Sequence, residues 1–246
     1  MANQKLVFPV HKAKITAGYM SKMYKEKHGY NHYGVDMICV NDEDFTVYAC
    51  GNGTVITAGN DVGLGYITVI RYNNVVVDDG SVSDVIATTF HHEAGSIKVK
   101  AGDKVNANTV IARYGKTGYG IEGEHLHIQF DTDTSNPLYC TGINGASSTI
   151  LKRGTVDSTI NPILILNNYE GTNREYRGEM THWHDDYTSD NMSLWSGLDF
   201  VTPELQDTSK DDSEVENPDI PSNTDKNKIY KNALKEIRAI LDEIGI

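Results

Sequence analysis

His125-Leu126-His127-Ile128-Gln129-Phe130 alternates polar and apolar residues without a break. Successive side chains of a β-strand point to opposite faces. Leu126, Ile128 and Phe130 therefore make a core face, and His125, His127 and Gln129 a polar one. The two imidazoles stand on Cα atoms roughly 6.5 to 7 Å apart. Both can reach one metal ion or one reaction centre. A strand with chemistry on one face and core on the other sets the expectation for the chain around it.

Working outward, Thr46-Val47-Tyr48-Ala49-Cys50, the Gly51-Asn52-Gly53 turn and Thr54-Val55-Ile56-Thr57-Ala58 read as strand, tight turn and strand. Tyr66 to Tyr72 is β-branched and aromatic, and Asn73-Asn74 breaks it before Val75-Val76-Val77. Val85 to Phe90 and the stretch from Ile97 to Ile111 supply further strands. With no helical periodicity between them, the pattern predicts an all-β fold, an antiparallel β-sandwich or open barrel. Residues 131–160 are polar and turn-rich, a long insertion of the kind that often carries function. Asn161-Pro162-Ile163-Leu164-Ile165-Leu166 closes the domain against its core.

This reading divides the chain into a domain over 1–166, an irregular aromatic extension over 167–200, an acidic linker over 201–227 and an amphipathic C-terminal helix over 228–246. The linker contains Pro203 and Pro221 among acidic and polar residues. On the helix, Tyr230, Leu234, Ile237, Leu241 and Ile244 recur at heptad-like intervals. That seam docks on its own protein, or it mediates self-association or docking to a partner. The formal net charge of -12 argues against nucleic acid as a partner. No apolar run approaches the roughly 20 residues of a membrane span. The N-terminus has neither the apolar stretch nor the cleavage site of a secretory signal. Cys39, Cys50 and Cys140 form no C-x-x-C pair, so they read as buried thiols rather than a metal cage.

His32-Tyr33-Gly34-Val35-Asp36 is the second segment that carries chemistry. If it is extended, His32, Gly34 and Asp36 share a face, and the glycine leaves open space between the two polar side chains. A one-turn helix would also align His32 with Asp36, though glycine disfavours it. Imidazole and carboxylate groups are good zinc ligands, and three protein ligands with one open position is the pattern of catalytic zinc. The H-E-x-x-H pattern of helical metalloproteases is absent. His182-Trp183-His184-Asp185 is a weaker H-x-H, read as a loop with a packed tryptophan and solvated histidines rather than a second metal site.

Taken together these motifs resemble the lysostaphin-type (LytM-like) zinc endopeptidases, from about Phe8 to Leu166. His32-Tyr33-Gly34-Val35-Asp36 matches that family's H-x-G-x-D, and Gly123-Glu124-His125-Leu126-His127 its G-x-H-L-H. Tyr48 to Val55, Phe90-His91-His92, Val99 to Val105 and Gly115-Lys116-Thr117-Gly118 match the intervening motifs in order. The resemblance implies a duplicated-hybrid-motif type of β fold and one zinc ion held by His32, Asp36 and His127. It also implies His92 and His125 as the catalytic pair, and a tyrosine, Tyr24 or Tyr30, beside the oxyanion. His91 is the alternative to His92; adjacent strand residues face opposite ways, and motif position favours His92. Glu93 departs from the family, which has an apolar or amide residue there. The substrate implied is a peptide of bacterial peptidoglycan. Without a secretory signal, a phage lysin, a virion-borne lytic protein or a secreted protein whose signal was trimmed is expected to act on the cell wall, with a non-catalytic peptidoglycan-binding or hydrolase-activating relative as the alternative.

Overall fold

The structure is a computed structural model that describes residues 2–40, 44–135, 137, 156–167, 169, 172 and 174, and the backbone of 176–183. Its strands are β1 (Leu6–Val7), β2 (Ala13–Ala17), β3 (Val35–Cys39), β4 (Thr46–Tyr48), β5 (Gly53–Asp61), β6 (Gly65–Val76), β7 (Val82–His92), β8 (Lys104–Val105), β9 (Val110–Arg113), β10 (Leu126–Asp131), β11 (Thr159–Ile160), β12 (Leu166–Asn167) and β13 (Tyr176–Trp183). One short helix, α1 (Lys22–His28), precedes β3, and a 3₁₀ turn spans Pro162–Leu164. The described fold is mostly sheet. Residues 228–246, read as an amphipathic helix, lie outside the described residues, as do Cys140 and the linker.

The large sheet runs β13-β2-β3-β10-β7-β6-β5-β8, with β11 also pairing with β10, while β4 pairs with β9 and β1 with β12. Its pairings are antiparallel except for the outer pair β13–β2. β10 is flanked on both sides, and that position fixes the site. Leu126, Ile128 and Phe130 are fully buried in the main core, with Val35 and Met37 of β3, Val85 and Ala87 of β7, Val47 of β4 and Ile111 of β9. Burying each of the three contributes about 1.5–3 kcal/mol. A one-residue slip of β10 would turn all three out of that core, so its register is strongly specified.

The opposite face is covered too. Leu64, Ile67, Val69, Ile86 and Phe90 form a second, smaller cluster, with Tyr30 and Tyr33 packed against it. Gln129 and Asp131 are therefore buried, yet satisfied: Gln129 Nε2 donates to Asp131 Oδ2 at 2.7 Å, and Ser158 Oγ donates to Asp131 Oδ1 at 2.8 Å.

Two elements differ from the sequence reading. α1 has no buried residue and so no apolar stripe to reveal it. Its ends are set by caps, the Ser21 side chain accepting from Tyr24 N–H and Gly29 closing in the left-handed region at φ 80°. Part of the extension expected to be irregular forms β13, which pairs in parallel with β2. Among the described residues no helix is long and apolar enough to cross a membrane. Cys39 and Cys50 are free and buried. Arg174 lies buried after β12, donating through Nε to Phe8 O and through a terminal nitrogen to Ala49 O, both at 2.7 Å.

Candidate metal centre and its histidine wall

The antiparallel register of β10 with β3 sets His127 opposite Asp36. His32 arrives from the loop before β3. His127 Nδ1 lies 2.8 Å from Asp36 Oδ1 and 3.0 Å from His32 Nε2, and His32 Nε2 lies 3.1 Å from Asp36 Oδ1. Among the described residues these three form the group able to share one metal ion.

The protons decide what that triangle wants. His32 Nδ1 is 2.7 Å from Gly18 O. A carbonyl only accepts, so Nδ1 carries the hydrogen and a neutral His32 turns the Nε2 lone pair inward. Burial pushes the Asp36 carboxyl up. His32 and His125 beside it and the hydrogen bonds of His127 and His32 outweigh that and hold it well below the usual carboxylate range. Burial also lowers His127 to about 4, partly offset by Asp36, so its ring is neutral. A proton on His127 Nδ1 can serve the edge to Asp36 but leaves the lone pair of His32 Nε2 facing the Asp36 carboxylate. A divalent cation serves all three atoms at once. Zinc binds nitrogen and oxygen at about 2.0–2.2 Å, which puts tetrahedral neighbours about 3.3–3.6 Å apart. The observed triangle reaches that by opening a few tenths of an ångström, so the donor set fits zinc.

Packing holds the ligands in place. Phe90 stacks on His127 with centroids 4.6 Å apart and planes 2° apart. Tyr24 stacks on His32 at 4.3 Å. Gly34 explains the glycine of the first motif: a Cβ there would run into the Ile128 carbonyl oxygen and fall 2.6 Å from His127 Nε2. That nitrogen is buried without a hydrogen-bond partner.

Beside the triangle stands a second pair of imidazoles. His125 Nε2 is 3.7 Å from Asp36 Oδ2. Its Nδ1 donates to Gly123 O at 2.8 Å, leaving Nε2 as the lone-pair nitrogen of the neutral ring. The partner ring is His91, whose centroid lies 4.9 Å from that of His125 and 6.2 Å from that of His127. His91 Nδ1 donates to Thr117 O at 2.9 Å, so its Nε2 too carries the lone pair. Burial, then His125 and His127, hold His91 well below the ordinary histidine value.

His92, the residue expected in this pair, is placed elsewhere. Regular alternation would put Phe90 and His92 on one face. β7 instead shifts register against β6 between the pairs Thr68–Thr89 and Tyr66–His92, and His91 adopts φ 66°. That bulge sends both Phe90 and His91 toward the metal centre. His92 is fully buried, with Nε2 on Thr89 Oγ1 at 2.8 Å, which in turn is 2.6 Å from Thr68 Oγ1. Burial lowers His92 to about 3.

Of the two tyrosines, Tyr24 covers His32, while Tyr30 meets Tyr24 edge-on at 5.7 Å and packs on the smaller core cluster. Glu93 turns away to pair with Arg113 Nε at 2.8 Å. His182 lies on β13, of which only the backbone is described, and His184 lies outside the described residues.

Residues 30–138 match the family model of peptidase family M23. Stage II sporulation protein Q of Bacillus subtilis (strain 168) is 32% identical over 108 residues, which cover 43% of this chain and 34% of that protein. The chain thus spans about a third of the length of that curated relative. Among solved structures, the SpoIIQ–SpoIIIAH pore-forming complex is similar at 20% identity, over 67% of this chain and 92% of that one, with a TM-score of 0.46. A zinc-containing peptidase from Vibrio cholerae is similar at 27% identity, over 52% and 37% of the two chains, with a TM-score of 0.41.

Proposed function

We propose that this chain, whose residues 30–138 match the family model of peptidase family M23, is a zinc endopeptidase hydrolysing stem or cross-bridge peptides of bacterial peptidoglycan. The observation that supports this best is the His32–Asp36–His127 triangle, three atoms able to ligate a metal that lie 2.8 to 3.1 Å apart, with the His32 tautomer fixed by Gly18. Zinc bound there would polarise the scissile carbonyl and make water a competent nucleophile at neutral pH. His32, Asp36 and His127 would hold the ion.

The remaining work belongs to the histidine wall. His125, tied at Nδ1 to Gly123, offers Nε2 to take the proton of the attacking water and return it to the leaving amine. His91, tied at Nδ1 to Thr117, offers a second acceptor that orients that water. We assign this role to His91 rather than His92 because it is the His91 ring that lies against His125. Phe90 and Tyr24 keep the ligand rings from rotating and exclude water from their outer faces.

The second reading is a non-catalytic peptidoglycan-binding or hydrolase-activating relative. Hydrolysis of purified walls by wild type, His127→Ala and chelated protein, with metal content measured on each, separates the two. The peptidase reading expects zinc and fragment release from wild type alone. Equal release from all three, or none from zinc-loaded wild type, rejects it.

A further inference from the structure

The metal centre is nearly shut off from solvent. His32, Asp36 and His127 are buried, and the His125 side chain is only 18% exposed. The contacts around them close into a ring. On one side Tyr24 of α1 stacks on His32, and the His28 ring packs on Tyr24 with centroids 4.4 Å apart. On the other side His125 reaches Asp36 at 3.7 Å and is tied through Nδ1 to Gly123 O. Lys27 is the neighbour of His28, and Glu122 the neighbour of Gly123. Lys27 Nζ lies 3.7 Å from Glu122 Oε2, which completes the ring. Burial lowers His28, and Lys27, Glu122, His32 and Asp36 all act on its charge, so the ion pair is within electrostatic reach of the metal ligands. The pair is also the outermost link, its side chains 42% and 82% exposed.

That link is the weakest of the ring. An exposed pair contributes little and is screened by salt, whereas stacked aromatic rings and buried ligands hold the remainder. Both arms that carry it have room to move. α1 buries no residue and is set by its caps. The opposing arm, residues 119–123, is fixed at one end by Tyr119 N donating to Gly63 O at 3.0 Å and at the other by the His125 ring on Gly123. Between these ends Gly120 takes φ 74°, and nothing lies within 4 Å of a Cβ built on Gly120 or Gly123.

We propose that the Lys27–Glu122 pair is a strap across the entrance of the metal centre, which parts to admit a peptide and closes behind it. The strap stands on the geometry of this chain. Only the nature of what passes beneath it rests on the peptidase reading, and the test lets the two fail separately.

The full chain is treated with diethyl pyrocarbonate under chelation, and modification of His125 is followed on its peptide by mass spectrometry. Glu122→Gln and Lys27→Met should each quicken that modification about two- to fivefold, as loss of an exposed ion pair allows. Lys27→Arg, which can keep the pair, and the exchange of Lys27→Glu with Glu122→Lys should react like wild type. Added salt should quicken wild type and leave the two broken variants unchanged. His11, paired with Asp44 instead, should react alike in every variant at low salt. An unchanged His125 rate in the broken variants, or an exchange variant as fast as they are, overturns the strap. The zinc-loaded proteins are then assayed on wall peptides, where the broken variants should raise kcat/KM by a similar factor; hydrolysis at the wild-type kcat/KM in those variants also overturns it. A quickened His125 without hydrolysis by any of the proteins rejects the peptidase reading and keeps the strap.

Discussion

Gly34→Ala tests the metal-centre geometry with one added methyl group. The new Cβ would overlap Ile128 O and lie 2.6 Å from His127 Nε2 and 2.9 Å from His127 Cε1. Neither neighbour yields easily. Ile128 is paired with Val35 in the sheet, and the His127 ring is held against Phe90. Relief requires β3 and β10 to part, or the ring to retreat, by most of an ångström. Overpacking of this kind costs about 1–3 kcal/mol, or about 3–10 °C in Tm for a domain of this size. The same movement exceeds the roughly 0.2 Å tolerance of a metal–ligand distance. Zinc affinity should therefore fall by at least the 10–100-fold seen when a ligand's support is lost. Thermal melts of chelated protein isolate the packing cost, and competition against a zinc-binding dye reads the affinity. Gly29→Ala is the control. Nothing lies within 4 Å of that Cβ, but φ is +80°, so it should cost about 1–2 kcal/mol of backbone strain and leave zinc affinity unchanged. A Gly34→Ala protein that melts with wild type and binds zinc equally well would refute the close-approach argument.

The neighbouring histidines should behave differently from each other. His91→Asn should lower hydrolysis by about 10²–10⁴-fold with zinc content intact, whereas His92→Gln should keep the rate wherever the protein remains folded; kinetics with metal analysis on both variants decides this. His92 falls to about 3 in the folded protein, below an ordinary histidine value of 6.5. Its contribution to stability is therefore complete above pH 6.5 and is lost as pH falls from 6.5 toward 3. The full gap corresponds to about 4–5 kcal/mol, so urea melts of chelated His92→Gln between pH 7 and 4 should show a shallower loss than wild type. Burial raises the Cys50 thiol to about 12, so at pH 8 it should resist alkylation in the native protein and react once unfolded, as read on its peptide by mass spectrometry.

What was legible in the sequence was local. The alternation of Leu126 to Phe130 follows from strand sterics alone, and the core confirms which face is which. The pairing of His32 with Asp36 was readable from their spacing, but the role of Gly34 was not: the space expected beside it is filled by the Ile128 carbonyl and the His127 ring. β13 was not readable, because a strand in parallel pairing depends on a partner far away in sequence, here β2. Nor were the partners that fix the imidazole protons, since Gly18, Thr117 and Gly123 act through backbone carbonyls that any residue could supply.

The bulge in β7 explains why the ring of His91, rather than that of His92, lies against His125. The register of β7 against β6 places one extra residue at the bulge, and the surplus is taken up by a left-handed His91. Such a conformation costs about 1–3 kcal/mol and persists only where its surroundings over-determine it. Here they do. Gly115 N donates to His91 O at 2.9 Å, Thr117 Oγ1 to His92 O at 2.6 Å, and the His92 ring meets Thr89 at 2.8 Å. Three hydrogen bonds at about 0.5–1.5 kcal/mol each suffice to offset that strain. His92 is thus the buried anchor of the bulge that turns its neighbour into the histidine wall, and two adjacent histidines of one strand serve the same site from opposite faces of the sheet.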